Sequence, residues 1–372
     1  MTRLRDLGLS IGQLPPGPLN AITDVIGVRV GMTTLIAGDG PLVVGQGPIR
    51  TGVTVVVPHP GIVEHPVFAG THTLNGNGEM TGLEWIRESG HLTTPIGITN
   101  THSVGVVRDA LVAAEIAARD ARSSYWALPV AAETYDGALN DINGMHVRPE
   151  HVQAALDVAA DGPVPEGGVG GGTGMICHEF KGGTGTASRV VPAGWTVGAL
   201  VQANHGDREH LMIDGVPVGR ELPRSAIPSA WDEEEAVLRA GAGSIIVIVA
   251  TDAPLLPHQL DRLAQRAGLG IARAGGAGGH SSGDIFLAFS TGNAERLRTY
   301  KLEGPSEAVE LTMLPDGGIT ELFWGVIEST EEAIINAMIA AETMTGRDGI
   351  TAHALPHDDL LAIMTRYGRG PS

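Results

Sequence analysis

The chain has 372 residues, 42% of them hydrophobic, enough to bury one large core or two modest ones. Its 24 lysines and arginines stand against 42 aspartates and glutamates, a formal charge of −18, so the basic footprint of a nucleic-acid binder is absent and an anionic membrane surface is disfavoured. Cys177 is the only cysteine, which excludes an intrachain disulfide and a cysteine-based zinc site. No apolar run approaches the span of a bilayer, and residues 1–14 are broken by Asp6, Gly8 and Gly12 before a signal-like apolar region can form. These features predict a cytoplasmic protein.

Short, apolar, β-branched runs bounded by Gly, Pro or Asn predict strands over Ile26–Val30, Val53–Pro58, Pro95–Thr99, Tyr125–Val130, Thr196–Gln202, Ile245–Ala250, Ile285–Ser290 and Ala308–Met313. Helices are predicted between them. Val107, Leu111, Ala114 and Ala118 share one face of a stretch opened by Ser103 as N-cap. Pro149–Ala159 and Pro257–Ala267 each begin with the proline that suits a first helical turn. Glu328 to Glu342 carries Ile334, Ile335, Met338 and Ile339 at helical spacing, with Ser329 or Thr330 as cap, and a last helix covers Asp358–Arg366. Strands outnumber helices and arrive in runs, which predicts mixed sheets covered by helices in an α-β-β-α order rather than a doubly wound parallel sheet. Glu221–Gly243, with Pro223, Pro228 and the acidic run Asp232–Glu235, is the clearest interruption. Glycine, 53 residues in all, clusters between the strands, as close backbone approaches require.

The interruption ends in Gly241-Ala242-Gly243-Ser244, and Ser244 opens the apolar strand that follows. Gly-Ser before a strand ordinarily means a turn. Here the glycine also removes the Cβ that would obstruct a strained peptide. Strain there lets the Ser244 hydroxyl attack the Gly243 carbonyl in an N→O acyl shift, and hydrolysis of the ester frees a chain that begins at Ser244. Its α-amine, with a reference pKa of about 7.7–8.0, is suited to take a hydroxyl proton near neutrality.

Downstream, Ser282 and Asp284 lie two apart and, if extended, share a face, so that Asp284 orients Ser282 and Ser282 touches the nucleophile. Upstream, Glu133 and Tyr135, and then Asn204-His205, follow apolar strands, where loops at sheet ends carry function. A carboxylate pairs with a substrate ammonium. A phenol and an amide are the neutral donors of an oxyanion hole. Turn chemistry and core hydrogen bonding are the plainer readings of Tyr135 and Asn204.

Taken together, these blocks resemble the L-aminopeptidase/D-esterase (DmpA) and β-aminopeptidase family of self-processing serine hydrolases. The resemblance runs nearly end to end: Gly17–Val25, Asn75–Gly82, Thr99–Gly105, Glu133–Gly137, Gly170–Met175, Ala250–Leu255 and Phe286–Thr291. It implies a four-layer αββα sandwich of the DmpA/ornithine-acetyltransferase type, formed as one domain over 1–372. Cleavage between Gly243 and Ser244 then divides it into 1–243 and 244–372. It also implies Ser244 as nucleophile, assisted by Ser282 and Asp284, with Glu133 binding the substrate amine and Tyr135 and Asn204 at the oxyanion. The carboxylate is glutamate in β-aminopeptidases, so Asp284 is a shorter arm and does not single out β-amino acid substrates. The resemblance further implies a homotetramer of processed protomers, a small peptide or aminoacyl amide as substrate, and no metal or organic cofactor.

Other signals carry less. Gly167–Gly174 followed by Lys181 contains no Gly-Lys-Ser/Thr, and no GxGxxG occurs in the chain, so a nucleotide site is set aside. Pro356 separates His353 from His357 and no HExxH is present, so the 14 histidines are read as solvated or core residues. His102 and His205 fall in the family blocks without a role. The competing readings are an acyltransferase using the same nucleophile and a non-catalytic scaffold of the same fold.

Overall fold

The computed structural model describes residues 1–122, 124–232, 243–298 and 308–371. Most of the acidic run Asp232–Glu235 and the approach to Gly243 therefore lie outside the described residues. In chain order the main strands are β1 (Arg29–Ala37), β2 (Ile49–Val57), β3 (Val67–Gly76), β4 (His91–Leu92), β5 (Ile96–Asn100), β6 (Val130–Thr134), β7 (Ile176–Cys177), β8 (Phe180–Lys181), β9 (Gly183–Val190), β10 (Thr196–Asn204), β11 (Ser244–Thr251) and β12 (Gly283–Ser290). The helices are α1 (Leu83–Ser89), α2 (Val104–Ala117), α3 (Pro149–Asp157), α4 (Val218–Glu221), α5 (Pro257–Arg273), α6 (Ile319–Ile339) and α7 (His357–Arg366).

Two sheets dominate. One is four-stranded in the order β1-β2-β5-β6, the other six-stranded in the order β4-β3-β12-β11-β10-β9. Among the described residues only β5–β6 and β11–β12 pair in parallel. Val56, Ile96, Ile98 and Ala132 of the smaller sheet meet Leu200, Ile246, Ile248 and Leu287 of the larger across a shared core. The outer face of the smaller sheet packs Val53, Val55 and Ala131 against Val107 and Leu111 of α2 and Val152 of α3. The outer face of the larger sheet sets Val201, Ile245, Val247 and Phe286 against Leu263 and Ala267 of α5 and Ile334 and Met338 of α6. The layers are thus α, β, β, α. β11 is apolar on both faces because one face meets the opposite sheet and the other the helices.

The departures from the sequence-based expectation have physical causes. β6 begins at Val130 rather than Tyr125, since Pro129 has no amide hydrogen to give a ladder. Glu133 consequently lies within a strand and not in the loop after it. β1 starts at Arg29 and runs to Ala37, so most of Ile26–Val30 precedes it. No strand forms over Ala308–Met313; the Asn293 side chain takes both backbone bonds of Thr312 in place of a neighbouring strand. β3 and β9 escape the apolar pattern because they carry small residues where helices press on them. A Cβ at Gly70 would lie 2.2 Å from the Asp261 nitrogen of α5, and one at Gly185 2.0 Å from the Ala333 carbonyl of α6.

α6 starts at Ile319, well before Glu328, with Gly318 as its N-cap. Ser329 and Thr330, read as caps, are buried inside it. The helix also buries Glu328 and Glu332, which hold Arg189: Nε lies 3.1 Å from Glu328 and Nη2 2.6 Å from Glu332. The same carboxylates bind the amino-terminal segment through Gln13 N, Leu14 N, Arg5 and Asn20. Burial works to raise the Glu332 carboxyl, yet Arg189 and Arg5 bring it below its ordinary value. Its contribution to stability is therefore complete above the ordinary glutamate range and is lost as pH falls through the depressed value. Replacing Glu332 by alanine leaves the buried Arg189 guanidinium to Glu328 alone and removes the partner of Arg5 and Asn20; it should cost up to about 3–5 kcal/mol, the range for breaking a buried ion pair. Equilibrium denaturation checks this, and a midpoint unchanged from wild type would show the pair to be dispensable.

Candidate active site

Three neighbouring strand ends build the site. The registers align Asn204, the last residue of β10, with Ser244, the first of β11, and set Ile245 beside Asp284 of β12. Gly283 N donates to Ser244 Oγ at 3.0 Å, which fixes the direction of the hydroxyl. Immediately before it, Gly243 has φ +146, and a Cβ there would lie 2.5 Å from the Asn204 carbonyl oxygen and 2.8 Å from His205 Cα. Both the backbone angle and the space demand glycine at this position.

The pleat divides the polar groups between two faces. Ser244 shares a face with Ile246 and Ile248, which point into the gap between the sheets. Asn204 stands on the same side: its Oδ1 accepts from Ile176 N at 2.7 Å and its Nδ2 donates to the Tyr135 carbonyl at 2.9 Å. One Nδ2 hydrogen is left to point elsewhere. Glu133 approaches from β6 of the opposite sheet, accepting from Glu79 N at 3.0 Å and from the Thr101 hydroxyl. Gly78 is wedged between, since a Cβ there would lie 3.0 Å from Gly283 Cα and 3.1 Å from Glu133 Oε1. The half-buried Tyr135 ring lies over Gly137. A groove of about 370 Å³ lined by Gly76, Gly78, Glu79, Met80 and Arg87 opens beside Ile285 on this side.

Ser282 and Asp284 occupy the other face, with Phe286 and the α5 side of the sheet. Ser282 Oγ lies 2.7 Å from Asp284 Oδ2 and 2.8 Å from the Gly279 carbonyl, so its single proton serves one acceptor at a time, and Asn75 Nδ2 donates to it at 3.1 Å. Asn77 clamps the same turn through Ser281 O and Ser282 O. Burial raises the Asp284 carboxyl, opposed by its bonds from Ser282 and Ile245. The structure does not bring the Ser282 hydroxyl onto that of Ser244; the Gly283 peptide lies between them. A cavity of about 60 Å³ lined by His205, Gly243, Gly279, Ser282 and Asp284 joins this pair to the peptide preceding Ser244.

Several participants carry no motif of their own. Asn75, Asn77 and Thr101 fall in the blocks Asn75–Gly82 and Thr99–Gly105 without an assigned role, and only the fold shows that they position Ser282 and Glu133. Asp136, beside Tyr135, is buried and pushed up to about 7, with Thr51, Asn140 and Asn100 as donors that limit the rise. His102 is exposed, while His205 is buried next to Cys177 and His178.

Burial raises the Glu133 carboxyl, and the Thr101 and Glu79 donors counter it. Thr101→Val removes a bond that favours the charged form, so the titration of Glu133 should move to higher pH. The ¹³C shift of its side-chain carboxyl reads this directly. A titration that stays in place or moves down contradicts the assignment of Thr101 as its partner.

Comparison with known proteins agrees with this architecture. The sequence profile of peptidase family S58 matches residues 20–352. The chain is 51% identical over 377 residues to the β-peptidyl aminopeptidase BapA of Sphingosinicella microcystinivorans, covering 99% of this chain and 93% of that protein. A Burkholderia sp. β-aminopeptidase superposes with a TM-score of 0.90 at 53% identity, over 99% of both chains. The L-aminopeptidase D-Ala-esterase/amidase of Ochrobactrum anthropi, described as a prototype of the serine aminopeptidases and a variant of the Ntn hydrolase fold, does so with a TM-score of 0.88 at 46% identity, also over 99% of both chains. With a match of this extent in sequence and in fold, the chain belongs to peptidase family S58.

Proposed function

We propose that the chain cleaves itself between Gly243 and Ser244, and that the exposed Ser244 then acts as the nucleophile of an aminopeptidase and amidase. The observation that carries this reading is the junction itself. Gly243 is held at a positive φ against the Asn204 carbonyl directly before a hydroxyl oriented by Gly283 N. Attack of Ser244 Oγ on the Gly243 carbonyl transfers the acyl group from nitrogen to oxygen, and water releases it. The products are chains 1–243 and 244–372.

The new α-amine of Ser244 sits at the cavity shared by Gly243, Ser282 and Asp284. There the Ser282–Asp284 pair orients it and stabilises the ammonium formed when it takes the hydroxyl proton, so the pair acts on the amine rather than on the nucleophilic oxygen. In turnover, the substrate ammonium rests against Glu133 beside the strand ends, and Ser244 Oγ attacks the first carbonyl. The remaining Asn204 amide hydrogen and the Tyr135 phenol stabilise the oxyanion. The Ser244 ammonium protonates the departing amine, and water hydrolyses the acyl-enzyme on Ser244 to return the free serine. Substrates are peptides, amides or esters with a free amino terminus. The relatives' names, β-peptidyl aminopeptidase and L-aminopeptidase D-Ala-esterase/amidase, support β-peptidyl, L-aminoacyl and D-alanyl compounds as candidate substrates.

Among the described residues no helix is long and apolar enough to cross a membrane. The formal charge of −18 and the lone buried cysteine support a cytoplasmic location, and likeness to the family supports a homotetramer of two-chain protomers.

Purified protein should migrate as two fragments on denaturing gels, the smaller sequencing from Ser244, and Ser244→Ala should remain one chain without activity on aminoacyl amides. Gly243→Ala, whose Cβ collides with the Asn204 carbonyl, should slow or abolish cleavage. Ser282→Ala should lower kcat about 10²–10⁴-fold and Asn204→Ala about 10²–10³-fold, in each case after normalising to cleaved protein. Normal cleavage and hydrolysis by Ser244→Ala would falsify the proposal.

A further inference from the structure

Behind the Asn204 strand end lies a cluster that the peptidase reading does not use. Cys177, His178 and His205 are buried, and one ligand atom from each lies within 4.8 Å of the others. The Cys177 sulfur is 3.9 Å from His205 Nδ1, and the two imidazole rings stand edge to face with centroids 5.2 Å apart. His178 is fixed in place. It and Glu179 form the tight link between β7 and β8, both at positive φ, and its backbone N–H donates to the His205 carbonyl at 2.7 Å. Gly206 packs flat against its ring: a Cβ there would lie 2.4 Å from His178 Cε1.

The hydrogen-bond inventory is incomplete in an informative way. His178 Nδ1 faces the Asp207 carbonyl at 3.0 Å. A carbonyl only accepts, so Nδ1 carries the hydrogen and Nε2 of the neutral ring bears a lone pair. That Nε2, and the Nε2 of His205, are buried with no hydrogen-bond partner among the described residues. Buried polar atoms are seldom left unsatisfied. A ring held by a carbonyl on one nitrogen, with the other free beside a thiol and a second imidazole, has the outer-shell arrangement of a metal-ligating histidine.

We propose that Cys177, His178 and His205 bind a borderline-to-soft transition-metal ion of the zinc class. One sulfur and two imidazole nitrogens suit such an ion. Ligand separations of about 3.5 Å, as bonds of about 2.3 Å to sulfur and 2.0–2.1 Å to nitrogen require, are reached by a contraction of at most about 1.3 Å from the 4.8 Å within which the ligand atoms lie. The ion enters through the cavity that His205 shares with Gly206, Asp207 and His210. The lone cysteine, read from the sequence as excluding a cysteine-based zinc site, supplies one thiolate to two imidazoles here; sequence spacing conceals the set because its ligands come from two segments that meet only around β7 and β10. The ion ties the β7–β8 link to the residue after Asn204, while Ile176 N of β7 binds the Asn204 side chain. It therefore braces the strand end that carries Asn204 and takes no part in bond breaking.

The test uses the full chain, reduced, stripped with a chelator and titrated with Co²⁺ and then Zn²⁺. Wild type should bind one Co²⁺ per chain with a near-ultraviolet thiolate-to-cobalt charge-transfer band, which one equivalent of Zn²⁺ abolishes. Cys177→Ala should lose that band and bind Zn²⁺ at least 100-fold more weakly, as should His178→Ala, and Zn²⁺ should raise the thermal midpoint of wild type alone. Absence of the band in wild type overturns the proposal without reference to any variant, and so does equal Zn²⁺ affinity in Cys177→Ala.

Discussion

The site depends on the ladder that joins β10, β11 and β12. Antiparallel pairing on one side of β11 and parallel pairing on the other bring Asn204, Ser244 and Gly283 into one row. A one-residue slip in either pairing would turn Ser244 to the opposite face, because side chains alternate along a strand. The register is held by burial on both faces of β11, where Ile246 and Ile248 fill the gap between sheets and Ile245 and Val247 meet the helices. Packing of apolar side chains thus sets the aim of a single hydroxyl.

The same alternation explains why the polar groups fall into two sets. Ser244 and Asn204 lie on the gap side with Ile246 and Leu200, and Glu133 reaches the same strand ends past Gly78, whereas Ser282, Asp284 and His205 lie toward α5. The Gly243–Ser244 peptide and the Gly283 peptide both pass between the sets. The proposed cleavage would meet this geometric demand, because a chain beginning at Ser244 would send its terminal amine and its side chain in different directions. An internal serine offers only the side chain.

Close approach is the other recurrent constraint. Gly70 and Gly185 let α5 and α6 lie on the sheet, Gly78 lets the β3 loop slip between Gly283 and Glu133, and Gly243 meets the Asn204 carbonyl. Each is a place where one methyl group would separate parts that must touch. The abundance of glycine is therefore a packing requirement spread through the fold. Charge is used as sparingly: Arg189 is buried only because Glu328 and Glu332 of α6 reach it, and those carboxylates in turn anchor the amino-terminal segment.

The sequence by itself determined the layered αββα class, the apolar cores of β5, β10, β11 and β12, the helices beginning at Pro149 and Pro257, and the residues to examine: Ser244, Ser282, Asp284, Glu133, Tyr135 and Asn204. These were legible because they rest on local periodicity, proline and glycine chemistry, or blocks shared with a family. Only the tertiary structure decided which face each residue occupies and which partners hold it. β3 and β9 are strands by virtue of their neighbours and not their composition. Asn75 and Thr101 matter through bonds to residues 207 and 32 positions away, and His205 meets Cys177 and His178 only after β10 has paired. Long-range contacts of this kind leave no periodic trace, because the physical quantity that selects them is proximity in space.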